Sequence, residues 1–96
     1  MRVVFTRHAL RRMEERGVTR EEVYEVLGEP DEVLLDTETS RIIAVKYSTG
    51  VCVIVDAHGD RVEVVTVLVS GSLERLVDRR KSRGRWAPWP RRSGQG

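Results

Sequence analysis

His8, Arg12 and Arg16 are the residues whose types and spacing best suit chemistry in this chain. They stand four apart, so in a helix they rise along one side. A neutral imidazole can take the proton from a ribose 2′-hydroxyl, and arginines can stabilise the charge that builds on a phosphorus under attack. The implied chemistry is RNA cleavage without a metal, with His8 and Arg12 as catalytic residues and Arg16 as a phosphate ligand. The same trio also suits a scaffold. In that reading His8 bonds to a backbone carbonyl, Arg12 pairs with Glu15 or with an acid on the sheet such as Asp36, and Arg16 meets carbonyls at its own helix end. At about 100° per residue, Ala9, Leu10, Met13 and Gly17 share one sector of the helix and the trio fills the next. The trio therefore marks the border between core and solvent.

A second candidate lies near the C-terminus. Arg79, Arg80, Lys81, Arg83 and Arg85 precede Trp86 and Trp89, with prolines between and after the tryptophans. Arginines interleaved with tryptophans can contact phosphates and stack on bases, so these residues are expected to bind nucleic acid. A metal centre and a cofactor are not expected, because no HxH, HxxxH or CxxC spacing occurs. His58, in a His-Gly-Asp turn, is read as an exposed turn residue, Glu63 as an edge or solvent-facing one, and Tyr47 as part of the core.

These residues must be positioned by one small domain, since 96 residues leave no room for a second. Valine, with 16 copies, dominates the apolar set and favours a sheet-based core. Charge is segregated. Residues 1–78 hold ten basic and fifteen acidic side chains, a balance of −5, and residues 79–96 hold seven basic and none acidic. The body is taken as residues 1–81 and the tail as 82–96. The lone Cys52, in an apolar run, is expected to be a buried small hydrophobe. No apolar run approaches the ~20 residues of a membrane span and the N-terminus lacks a signal-type stretch, so a soluble, cytoplasmic protein is expected. The absence of Asn, and 15 arginines against 2 lysines, suit a thermophile with a GC-rich genome.

The elements follow from local signals. Arg2–Phe5 reads as a strand. Thr6 caps a helix that ends at Gly17, and Thr19 with Glu22 forms a capping box for a second helix that stops at Gly28 and Pro30. Extended segments at Glu32–Asp36, Arg41–Ser48, Val51–Ala57 and Arg61–Ser70, separated by short turns, read as antiparallel hairpins. Ser72 opens a third helix to about Lys81. The fold class is α+β: β-α-α, then a three- to four-stranded antiparallel sheet, with helices packed on one face and a C-terminal helix. Two strands are apolar on both faces, so the second face needs either the C-terminal segment or a second copy of the chain.

The run His8-Ala9-x-x-Arg12-Met13-x-x-Arg16-Gly17-Val18, followed by Thr19-x-Glu21-Glu22-Val23 and Pro30, resembles bacterial domain-of-unknown-function family 4258. Members of that family share a His-Ala-x-x-Arg-Met-x-x-Arg-Gly-Ile stretch and close on a Thr-Val type strand, here Thr66-Val67. The resemblance covers about residues 4–69, and the basic tail is outside it. It implies a topology similar to RelE- and ParE-like toxins and kinship with toxin-type ribonucleases, with RNA as substrate and an antitoxin protein as partner. The reading set against this is a non-catalytic module that binds protein or nucleic acid, with His8, Arg12 and Arg16 structural.

Overall fold

A computed structural model describes residues 1–90. Elements run β1 (Arg2–Phe5), α1 (Arg7–Arg16), α2 (Arg20–Gly28), β2 (Glu32–Asp36), β3 (Ile42–Lys46), β4 (Val51–His58), β5 (Arg61–Val69), α3 (Leu73–Ser82) and β6 (Trp86–Pro88). The class is α+β, and all six strands join one sheet in the order β1-β5-β4-β3-β2-β6.

The sheet departs from the expected three or four antiparallel strands at both edges. β1 pairs with β5 in parallel, from Arg2 with Arg61 to Phe5 with Val64. β6 pairs antiparallel with β2, setting Asp36 opposite Trp86. Turn signals reveal hairpins between neighbours in sequence, and neither of these pairings joins neighbours. β6 is also short and contains Pro88, which an edge strand tolerates because a missing N–H there breaks no ladder bond. The segment read as a tail, 82–96, thus supplies the sixth strand. Its last six residues, 91–96, lie outside the described residues.

Strand alternation divides the core in two. On β4, Val51, Val53 and Val55 face a cluster with Ala9 and Met13 of α1 and Val23 and Val26 of α2. Cys52, between them, faces the other side, where Leu34, Ile43 and Val45 pack with Leu73 and Val77 of α3 and with Trp86. Helices therefore cover both faces, not one. The second apolar face is thus covered by the C-terminal segment, the first of the two alternatives.

Both early helices use the caps their sequences announce. In α2, the Glu22 N–H donates to Thr19 Oγ1 at 3.1 Å and the Thr19 N–H donates to Glu22 Oε1 at 2.9 Å. Gly17 closes α1 in the left-handed conformation, at φ 69°. Thr6 caps α1 by accepting from the Ala9 N–H at 3.0 Å. It also anchors the helix to the sheet. The register between β4 and β5 slips between Ile54 and Val55, which pair with Thr66 and Val64 and leave Val65 unmatched. The Thr6 hydroxyl donates to the Val65 carbonyl at 3.1 Å, and the Thr6 N–H donates to the Val64 carbonyl at 3.0 Å. A bulge leaves one residue unpaired, and the Thr6 hydroxyl docks the start of α1 on that residue, Val65.

Replacing Thr6 by Ala removes both hydroxyl bonds. It is expected to lower the unfolding free energy by about 1–2 kcal/mol in a urea titration, while Thr6→Ser stays near wild type. Equal midpoints for Thr6→Ala and wild type would contradict this anchoring role.

Candidate functional site

α1 packs on β5, the strand next to the edge strand β1. His8, in the first turn, is exposed. Its ring makes no hydrogen bond or ion pair among the described residues. Arg12 is half-buried one turn on, and its Nη1 approaches Glu15 Oε1 at 3.7 Å. Its Nε is buried and has no hydrogen-bond partner among the described residues. Arg16 is exposed in the last turn, where a cation complements the helix dipole. Of the scaffold contacts expected for the trio, the pair Arg12–Glu15 alone is present among the described residues. Asp36, the sheet acid considered for Arg12, is engaged by Arg85. Neighbours at i and i+4 have Cβ atoms about 5–6 Å apart, so an anion resting on α1 can meet His8 and Arg12 together.

The C-terminal basic residues are arranged differently from the expected nucleic-acid surface. Trp86 is 2% exposed and belongs to the core, so it is not available to stack on a base. The Arg80 guanidinium lies 4.9 Å from its ring centroid, in cation–π contact. Arg85 Nε donates to both Asp36 carboxylate oxygens, at 3.1 and 3.2 Å, and its Nη1 stands 3.7 Å from Glu38. Lys81 Nζ meets Glu32 Oε1 at 2.5 Å, and the Tyr47 hydroxyl donates to the other oxygen of Glu32. Arg79, Arg83 and Trp89 are exposed. A cleft of about 290 Å³ is lined by Glu38, Arg80, Arg83 and Arg85. Lys81 and Arg85 are engaged by acids of the body and Trp86 by the core, while Arg79, Arg83 and Trp89 are exposed and Arg80, Arg83 and Arg85 line the cleft.

These ion pairs set the local proton affinities. Burial pushes the Asp36 carboxyl up, but hydrogen bonds from Arg85 and from the Thr39 and Glu38 N–H groups outweigh it, and Asp36 titrates below its ordinary value. Glu32 behaves alike, with burial opposed by bonds from Lys81 and Tyr47. Burial, together with the Glu32 carboxylate, raises the Tyr47 phenol. Burial also raises the Cys52 thiol to about 12, so no thiolate forms near neutrality and the buried residue is chemically inert.

Sequence reasoning missed one constellation. Asp56 on β4 is the register partner of Glu63 on β5, and His58 lies two residues past Asp56. Ligand atoms of the three lie within 4.8 Å of one another. The available signal was Asp-x-His on one strand, then a two-residue Gly-Asp turn that returns Glu63 to the same height.

Residues 5–77 match the family described as domain of unknown function (DUF4258). The chain belongs to the DUF4258 family. No curated protein and no solved structure matches it. In this DUF4258 chain the match takes in the whole α1 stripe and ends within α3, so Arg79 to Trp89 and strand β6 lie beyond it.

Both tryptophans, Trp86 and Trp89, lie in or beside β6, so tryptophan emission reports on this strand. Asp36 has a lowered folded-state pKa. Its stabilisation is present above the unfolded value and is lost as pH falls through the folded one. Emission is expected to shift to the red as pH falls below about 4. Asp36→Asn is expected to show that shift already at neutral pH. Emission that is the same in wild type and Asp36→Asn at every pH would contradict the pairing's role in holding β6.

Proposed function

We propose that this protein is a RelE-like toxin relative that cleaves RNA without a metal ion, using the α1 stripe. The observation that carries the reading is the pairing of an exposed His8 ring, unbonded among the described residues, with Arg12 one turn away, whose Nε has no partner among them. His8 takes the proton from a ribose 2′-hydroxyl. The 2′-oxygen attacks the adjacent phosphorus, the bond from phosphorus to the 5′-oxygen breaks, and that oxygen takes a proton from water. The products carry a 2′,3′-cyclic phosphate and a 5′-hydroxyl. Arg12 stabilises the charge on the phosphorane, and Arg16 holds the next phosphate. The protein partner on this reading is an antitoxin, and expression without it arrests growth.

The Arg80–Arg83–Arg85 cleft supports a second reading, a binding module without catalysis. α3 and β6 pack together, and β6 lies four strand spacings from β5, roughly 19 Å at about 4.8 Å each. α1 and α3 also sit on opposite faces. The cleft therefore does not belong to the His8 site, and an RNA touching both must pass around the sheet.

A cleavage assay in EDTA separates the two. Wild type is expected to cut single-stranded RNA. His8→Ala is expected to lose at least about a hundredfold in rate while still binding RNA, the usual scale for a proton-transfer group. Arg83→Ala should weaken binding and flatten its salt dependence with little change in the rate at saturation. RNA binding without cleavage by wild type would support the second reading, and cleavage unchanged in His8→Ala would overturn the first.

A further inference from the structure

The far end of the β4–β5 hairpin gathers three side chains that the α1 site does not use. Asp56 and Glu63 face each other across the two strands, and His58 follows Asp56 by two residues and so shares its face. On β4 this is the face of Cys52 and Ile54, the side covered by α3. α3 packs over Leu34, Ile43, Val45 and Cys52 and leaves the hairpin end open: His58 is exposed, and Asp56 and Glu63 are half-buried. The site has a rigid sheet behind it and water in front.

We propose that Asp56, His58 and Glu63 bind a divalent first-row transition cation. Two carboxylates set directly opposite on neighbouring strands repel. Arg41 relieves only one of them: its Nε lies 3.3 and 3.4 Å from the two oxygens of Asp56, while no ion pair among the described residues reaches Glu63. A cation between the carboxylates removes the repulsion that Arg41 leaves. The imidazole decides the class, since calcium and magnesium take oxygen ligands whereas zinc, cobalt and their neighbours accept a nitrogen beside carboxylates. Ligand bonds of about 2.0–2.2 Å put adjacent ligand atoms about 3–3.5 Å apart. The cluster, with its atoms within 4.8 Å of one another, reaches that spacing by side-chain rotation, with the strands left in place. Three protein ligands leave further positions for water. Arg41 is then a competitor, because its charge sits beside a metal ligand and weakens binding.

Cobalt(II) titration of the full chain near neutral pH, followed by visible absorption, tests the site. Wild type is expected to bind one equivalent, and zinc to displace it with a rise in melting temperature. His58→Ala and Glu63→Gln should each weaken cobalt binding about tenfold or more, Arg41→Gln should strengthen it, and His8→Ala should leave it unchanged. Absence of cobalt binding at millimolar concentration would overturn the proposal, and so would equal affinity in wild type and His58→Ala. No RNA enters these measurements, so their outcome is independent of the reaction proposed at His8.

Discussion

The position of α1 depends on Thr6. One hydroxyl accepts from the Ala9 N–H, which starts the helix, and donates to the Val65 carbonyl, which ties that start to the sheet. The Thr6 N–H adds a bond to Val64. A hydroxyl can serve both directions at once, and no other small side chain but serine offers the same pair of roles at a cap. Val65 is left without a partner on β4 because the β5 strand carries one residue more at that height, whereas the bond to Val64 carries on from the β1–β5 pairing of Phe5 with Val64. The anchor to the sheet therefore fixes where His8 stands, and Ala9 and Met13, buried in the adjoining sector of the helix, hold its rotation. With the start and the rotation both fixed, the polar stripe must run along the core–solvent border.

At the other edge of the sheet, electrostatics does the equivalent job. The sequence separates an acidic body from a basic C-terminal segment, and the fold brings part of each together. Arg85 lies on Asp36, Lys81 on Glu32 and Arg80 on the Trp86 ring. An aspartate 7% exposed would be costly without that guanidinium and the two backbone N–H donors it also accepts from. Several charges that a composition count assigns to a polyanion are thus committed to holding β6 and the end of α3. Those left over, Arg79 and Arg83 with the rim of the cleft, form a smaller and more local positive surface.

Local features of the fold were legible in the sequence. The Thr19–Glu22 box, the Gly17 stop and the hairpin turns are short-range signals with short-range causes, and they appear at the expected residues. What escaped were pairings without a local signature. β1 joins β5 across some sixty residues, and β6 is three residues ending in a proline. The basic run misled for a related reason: composition shows that arginines are present and does not show that acids on a distant strand will engage them. At the candidate site, helical spacing correctly set His8, Arg12 and Arg16 on one side of α1, because periodicity alone determines that. The sequence left Arg12 to pair with Glu15 or with Asp36, and only the three-dimensional structure chooses Glu15 and leaves the His8 ring unbonded among the described residues. The Asp56–His58–Glu63 group escaped because Asp-x-His and the Gly-Asp turn become a cluster only through the register of two strands.

The central claim is that the exposed histidine of α1 activates a ribose hydroxyl on RNA. The chemistry leaves a signature at the new chain ends. Analysis of the fragments made by the full chain in EDTA is expected to find 2′,3′-cyclic phosphate on one side of the cut and a free 5′-hydroxyl on the other. Fragments ending in a 3′-hydroxyl and a 5′-phosphate would contradict the claim, since they require attack by water, and so would RNA that remains intact.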